Sequence, residues 1–483
     1  MHHVVIIGGG ITGLATALNL QDRAPDIPPG LRITVLEAGA RLGGNIHTDS
    51  CAGFTIEQGP NGYLDNVPAM QVLVQRLGLG AEIQTADDSA SKRYLYRNGR
   101  LNLLPTGPLS FLGSRVLSVR GRIRVMLEPF ARAKPRGVDE TIHEFASRRI
   151  GPEAAEILID AMVSGVFAGN TRELSLASAF PRMAAMEAEH GSLVRAMIAR
   201  QRARRKQAGA VPPSGGPAGP GGTLTSFRPG LAVLIERLAG TLDAAIHCNY
   251  PVATIEASAS KAHTGHPPGW RVVSASGETL QADAVVVAIP SAKAAPLLLS
   301  VDSALGDITR QMPVAGLATI ALGYEANAIG GAPDGFGFLV PRSEGLRILG
   351  CLYDSSIFPG RAPADQVLLR VMLGGAHDPL AVELDDESML SLVCTDLNKT
   401  MGIAAAPILK RIYRHPGGIA QYATGHQQRL DSIQARLHEL PGLWVAGSAY
   451  YGVSMNACVE KAALQTEEIL GFLGSLPAPA SDT

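Results

Sequence analysis

Apolar residues in this chain gather into short unbroken runs as well as into helical periods. Val4-Val5-Ile6-Ile7 and Ile33-Thr34-Val35-Leu36 show no polar alternation, the form of a strand covered on both faces in a parallel sheet. Ala284-Val285-Val286-Val287-Ala288-Ile289, stopped by Pro290, has the same form. Residues 14–20 and 230–242 carry helical patterns, and residues 250–257 and 270–276 read as strands. The block 313–415 mixes both patterns and predicts a separate antiparallel-sheet domain. Leu443-Trp444-Val445 returns to the buried-strand form, and a last helix opens near Gly452 and runs to about Phe472.

The first two strands bracket a glycine turn. Gly8-Gly9-Gly10-Ile11-Thr12-Gly13 leads from strand to helix. Gly8 permits the tight turn, Gly10 lets the backbone approach a pyrophosphate, and Gly13 lets the helix pack close to the sheet. Amides of the first helical turn, at the positive end of the helix dipole, face the phosphates. Glu37 ends the second strand at the distance expected for an acid that meets ribose hydroxyls, with Ala38 beside it. A dinucleotide is the ligand these parts predict.

Bulk properties narrow the rest. The chain has 483 residues, room for about three domains, and a 46% hydrophobic share that suffices for ordinary cores. A net charge of −1 provides no global field for nucleic acid. The five cysteines are far apart and without CxxC spacing, which argues against a disulfide framework or zinc site. The twelve histidines show no ligand spacing, so no metal is expected. No run approaches the roughly 20 apolar residues of a spanning helix, and Met1 leads directly into the first strand. The expectation is a cytoplasmic protein. Between residues 91 and 140, eleven basic residues face three acidic ones, alongside apolar pieces such as Leu109-Ser110-Phe111-Leu112. That mixture suits docking on an anionic membrane surface, and it equally suits a solvated face over ordinary core. A second basic cluster precedes the glycine- and proline-rich stretch 208–222, which reads as a flexible loop without an assigned role.

Arg41-Leu42-Gly43-Gly44 follows the acid directly, and Gly59-Pro60-Asn61-Gly62 comes soon after. These resemble fingerprints of the flavoprotein amine oxidase superfamily, in which such an arginine and glycines line the FAD channel and a Gly-Pro loop crosses the flavin. Over essentially the whole chain the resemblance is to the protoporphyrinogen oxidase family. It is carried by Ser91-Lys92-Arg93-Tyr94, by Ser164-Gly165-Val166-Phe167-Ala168-Gly169, by Asp334-Gly335-Phe336-Gly337-Phe338-Leu339 and by Leu349-Gly350-Cys351-Leu352-Tyr353 through Arg361. Ala446-Gly447-Ser448-Ala449-Tyr450-Tyr451-Gly452-Val453 resembles the last FAD motif, although Ala457 stands where the family has an aspartate.

The resemblance implies an α/β flavoprotein of the two-dinucleotide-binding-domain type. Its Rossmann-like FAD domain would be discontinuous, with an antiparallel-sheet substrate domain and an α-helical membrane-binding insert. The segments would be FAD domain 1–80, substrate domain 81–100, insert 101–207, loop 208–222, FAD domain 223–292, substrate domain 293–425, FAD domain 426–475 and a disordered tail 476–483. FAD contacts are expected from residues 8–13, Glu37, Ala38, Arg41, Gly43, Gly44, Gly59, Pro60, Asn61 and Gly62, with Val252 reaching the adenine. Gly447, Ser448, Val453, Ser454 and Met455 complete that set.

Arg93 is expected to pair with a substrate propionate, Leu339 and Tyr353 to wall an apolar slot, and Gly165 to allow a close backbone approach. No catalytic side chain is nominated, because the cofactor carries the hard step. The implied reaction takes protoporphyrinogen IX to protoporphyrin IX, with oxygen as acceptor and an anionic membrane as peripheral partner at the inner face of the cell membrane. A homodimer is compatible with this and not fixed by it. Three alternatives remain open: coproporphyrinogen III oxidation on the same fold, a flavin amine oxidase or carotenoid desaturase, and a non-enzymatic escort protein of this fold.

Overall fold

The computed structural model describes residues 1–27, 30–132, 134, 137–206, 222–258 and 269–476. Its organising element is a five-stranded parallel sheet. Strand β1 (His2–Ile7) lies between β2 (Leu31–Leu36) and the strand Ala284–Val287. Ala245–His247 and Leu443–Val445 form the two edges. Register explains the unbroken apolar runs. Val4 and Ile6 enter one core with helix α1 (Ile11–Arg23), while Val5 and Ile7 enter the core on the opposite face. Both faces are covered, so neither can be polar. Segments from the start, middle and end of the chain pair side by side, and the domain is discontinuous as expected.

The second large unit is a seven-stranded sheet, in the order Leu409–Ala420, Val314–Glu325, Gln366–Gly374, Ile348–Leu352, Gly337–Leu339, Arg93–Arg97 and Arg100–Leu103. The antiparallel expectation needs correction here, because Gly337–Leu339 runs parallel to Arg93–Arg97 and the sheet is mixed. A parallel pair needs a long crossover, and more than two hundred residues of helical insert and FAD-domain chain supply it. One face of this sheet packs Ala318, Ile320, Phe338 and Val371 beneath the helix Asp386–Met401. The other face turns toward residues 57–62.

Three boundaries differ from those expected. Ile83–Thr85 pairs with Leu224–Phe227 in a small sheet beside the FAD domain, and Arg100–Leu103 is an edge strand of the substrate sheet. Ser291–Leu299 and Ser303–Arg310 pack Leu297, Leu298 and Leu305 onto the parallel sheet, because their apolar face meets Val5, Ile7 and Val285 there. Helices from Pro108–Gly113 to Leu193–Lys206 form the insert. An ion-pair chain through buried Arg149, Glu128 and Glu187 and half-buried Arg148 to Glu140 holds it together. Among the described residues, no helix is long and apolar enough to cross a membrane. The loop 208–222 (apart from Gly222) and the tail beyond Leu476 lie outside the described residues.

Candidate functional site

The nucleotide end is built from backbone. Gly8 leaves β1 with φ of +116°, where a Cβ would sit 2.5 Å from the Ala288 carbonyl oxygen. A Cβ on Gly13 would fall inside contact distance of the Gly8 carbonyl oxygen, so only glycine lets α1 start against the turn. Gly10 differs, because a Cβ there meets nothing within 4 Å and its space is open on the ligand side. The amides of Ile11 and Thr12 open α1, where a helix has no preceding carbonyl to engage them. Glu37 is half-buried with its carboxylate already oriented. Oε2 accepts from the Gly9 N–H at 2.8 Å and Oε1 from the Gly39 N–H at 2.7 Å, which leaves lone pairs for a hydroxyl donor. Gly43 N–H donates to the Gly9 carbonyl at 2.8 Å and draws residues 41–44 alongside the turn, while Arg41 and Ala38 face solvent. Asn249 and Tyr250 donate backbone hydrogen bonds to Gly39 and Glu37, which brings the start of the Val252–Ser258 strand to the same edge.

The far end of the chain adds a second turn. Val445 pairs with Val287, the short helix Ser448–Tyr451 follows, and Ser454 caps the helix Met455–Ser475 by accepting from the Ala457 N–H at 3.2 Å. That helix packs along α1. Residues 447, 448 and 453–455 therefore arrive beside the first glycine turn from the other end of the chain. Open space over Gly10, uncommitted helix-start amides and an anchored acid make a cradle that fits a dinucleotide.

Between this cradle and the seven-stranded sheet lie residues 57–62, held by two buried ion pairs that sequence reasoning missed. Arg361 meets Glu57 at 2.7 Å, with both side chains at most 2% exposed. Arg370 meets Asp354 at 2.8 Å and donates to the carbonyls of Glu57 and Gly59 at 3.1 and 2.8 Å. Asn61 donates to Asp354 at 3.3 Å. Burial pushes the Asp354 carboxyl above its ordinary range, against the pull of Arg370, Arg361 and Asn61. One signal was present in the sequence: Arg370 interrupts the apolar run Val367-Leu368-Leu369-Arg370-Val371.

Arg370 also marks which sheet face turns toward the cradle. Cross-strand partners share a face. From Arg370 the register leads through Leu352 and Gly337 to Arg93. It leads through Met372 and Gly350 to Leu339 and Leu95, and from Met372 to Thr319. Gly165, on the insert helix Asp160–Phe167, lies against this face, where a Cβ would come 2.6 Å from Leu339 Cδ2. Arg93, Gly165 and Leu339 thus come together. Tyr353 does not: it is 2% exposed in the core of the opposite face, with its ring 6.3 Å from that of Phe338. Tyr353 follows a strand in which only alternate residues face the cradle, a parity that the sequence motif does not display.

Arg93 stands 5.0 Å over the Phe336 ring and has no acidic partner among the described residues. Its guanidinium keeps access to solvent, yet surrounding protein removes enough water to lower its pKa. On this face Arg97 is paired with Glu344, Arg370 with Asp354 and Arg411 with Asp49, while Arg100, across from Arg97 on the edge strand, is exposed to solvent. Among the described residues, no group of three or more His, Cys, Asp or Glu could hold a metal.

Residues 11–470 match the family model of flavin containing amine oxidoreductases. The chain belongs to that family. It is 30% identical to coproporphyrinogen III oxidase of Bacillus subtilis, over 98% of this chain and 99% of the relative. It is 32% identical to human protoporphyrinogen oxidase, over 97% and 98%. A crystal structure of a candidate protoporphyrinogen oxidase from Exiguobacterium sp. 255-15 superposes with a TM-score of 0.79 at 28% identity, covering 97% of this chain and 98% of that one. Membership makes the chain an FAD-dependent oxidoreductase of the porphyrinogen oxidase group, and FAD is the dinucleotide that the cradle fits.

Proposed function

We propose that this chain oxidises protoporphyrinogen IX to protoporphyrin IX, reducing three molecules of oxygen to hydrogen peroxide in three two-electron rounds. The observation that carries the reading is Arg93, a cation without an acidic partner at the rim of an apolar face. A porphyrinogen is a broad apolar disc with carboxylates on its edge, and it needs an apolar wall and a well-placed charge. Leu339 and Gly165 serve as the wall. Arg93 holds a propionate, which contributes about 1.5–3 kcal/mol once the substrate covers it. Residues 8–13, 37–38, 41, 43–44, 59–62, Val252, 447–448 and 453–455 would hold FAD, which would supply the two-electron acceptor between porphyrinogen and oxygen. The side chains bind, orient and exclude water; none needs to act as nucleophile.

Coproporphyrinogen III is the second reading, favoured by the Bacillus subtilis relative. It carries four propionates, and Arg93, the cation beside Leu339 and Gly165, suits two carboxylates better than four. Anaerobic mixing with each porphyrinogen, followed by flavin bleaching, tests this. Faster bleaching by protoporphyrinogen is expected, and a clear preference for coproporphyrinogen overturns the assignment.

The insert supports peripheral membrane contact. Val119, Ile123 and Met126 recur at helical spacing on Val119–Met126, Leu127 follows at its end, and all four are more than 45% exposed. Phe130, exposed by 80%, extends the patch, and Arg115, Arg120 and Arg132 are solvent-facing nearby in sequence. An apolar patch with basic neighbours suits an anionic bilayer surface. Flotation with anionic liposomes at low salt is expected and should weaken at high salt; absence at low salt rejects the contact.

A further inference from the structure

We propose that Tyr422 is a positioning residue for the flavin, acting through the C-terminal turn. The inference rests on the cofactor reading above. The turn Ser448–Tyr451 is a single helical turn hinged at both ends by glycines in positive φ, Gly447 at +108° and Gly452 at +128°. Glycines at such joints leave the turn free to swing unless something outside it intervenes. Tyr422 intervenes at both hinges with one atom. Its hydroxyl donates to the Ser448 carbonyl at 2.5 Å and accepts from the Gly452 N–H at 2.7 Å. Donor and acceptor capacity are both used across the turn, which closes it as a ring.

The tyrosine is itself fixed from the substrate side. Its side chain is 4% exposed and stacks on the buried His426 ring, with centroids 4.2 Å apart and planes at 19°. Phe167, two residues beyond Gly165, lies 6.4 Å away. Neighbouring residues are pinned to the same insert turn, Gln421 by its side-chain amide and the others by backbone. Gln421 donates to the Phe167 carbonyl at 2.7 Å, Ser175 N–H to the Tyr422 carbonyl at 2.7 Å, and Thr424 N–H to the Glu173 carbonyl at 2.9 Å. A displacement of the insert turn beside Leu339 is therefore passed to residues 447–452 through one rigid ring. Tyr422 thereby sets where the C-terminal turn meets the flavin and ties that position to the insert turn at the substrate face.

Tyr422→Phe keeps the ring and removes both hydrogen bonds. After removal and readdition of FAD, the variant is expected to show an FAD dissociation constant raised about 10-fold, with an altered visible flavin band. An unchanged dissociation constant and band overturn the proposal, whether or not the melting temperature falls, because a purely structural tyrosine would touch only the latter. Should the variant fail to fold, hydrogen exchange at the Gly452 amide of the unaltered holoprotein decides: protection supports the staple, and exchange at the rate of a free loop amide overturns it. No porphyrinogen enters either measurement, so a wrong substrate assignment and a wrong role for Tyr422 fail separately.

Discussion

At the nucleotide end of the proposed site, the groups at hand are amides, α-carbons and one carboxylate, Glu37, from residues 8–13 and 37–44, contiguous in two short stretches. At the substrate end they are side chains, Arg93 and Leu339 on neighbouring strands, with Gly165 from an inserted helix clearing space for Leu339. The first set needs only a strand, a turn and a helix in order. The second needs the register of a seven-stranded sheet, and a shift of one residue would turn Arg93 and Leu339 into the opposite core. A site made of backbone is local, whereas a site made of side chains depends on tertiary pairing. Residues 57–62, clamped by Arg361 and Arg370, join the two.

The largest effect is expected where the clamp is broken. Arg361→Met leaves Glu57 buried without its cation and should cost about 3–5 kcal/mol, read as a lowered urea midpoint. A loss below 1 kcal/mol would mean that the two regions do not depend on this pair. Within the cradle, Gly13→Ala pushes a methyl into the Gly8 carbonyl and should cost about 3 kcal/mol together with FAD retention, checked by denaturation and flavin absorbance.

The joint between the regions has a pH signature. Burial, followed by the nearby Arg429 charge, lowers the His426 pKa from 6.5 to about 4, against the pull of Asp139. The stacked Tyr422 ring stays neutral throughout this range. The folded state holds the ring neutral while the unfolded chain takes up a proton below pH 6.5, so this contribution is complete above that pH. It declines as pH falls toward 4, by about 3 kcal/mol in all. In His426→Phe the part of the acid loss between pH 6.5 and 4 due to this ring should vanish from a stability–pH curve; an unchanged slope would place the proton elsewhere.

Smaller effects separate ligand roles from folding roles. Arg93→Ala is expected to lower kcat/KM for the porphyrinogen by about 10- to 100-fold, corresponding to about 1.5–3 kcal/mol, with FAD content unchanged. Unaltered kcat/KM removes the anchor. Gly10→Ala has φ of −76° and open space for its methyl, so the apoprotein should melt with the parent. Its FAD affinity should fall about 10-fold, near 1.4 kcal/mol, because the methyl occupies ligand space. A lower apoprotein melting temperature would break the contrast with Gly13.

Legibility followed the same division. The glycine turn, Glu37 and the apolar strands stood in the sequence because each is short and self-contained, and the parallel sheet assembled from them. Arg93, Gly165 and Leu339 could be named by resemblance but not grouped by inspection, and Tyr353 shows the limit. It adjoins the motif in sequence, yet strand parity and burial carry it to the opposite core. The parallel pairing of Gly337–Leu339 with Arg93–Arg97 was hidden for a related reason, since nothing local records which distant strand completes a sheet edge. Arg370 was visible only as a charge inside an apolar run.

By itself the sequence determined the dinucleotide cradle and the buried parallel strands, because glycine geometry and apolar periodicity act over a few residues, while the flavoprotein class came from resemblance. Only the tertiary structure decided which sheet face turns toward the cradle, which arginines are buried in ion pairs and which tyrosine bridges the C-terminal turn. Those outcomes depend on partners that are distant in the chain, and burial makes each polar group find its partner through the whole fold.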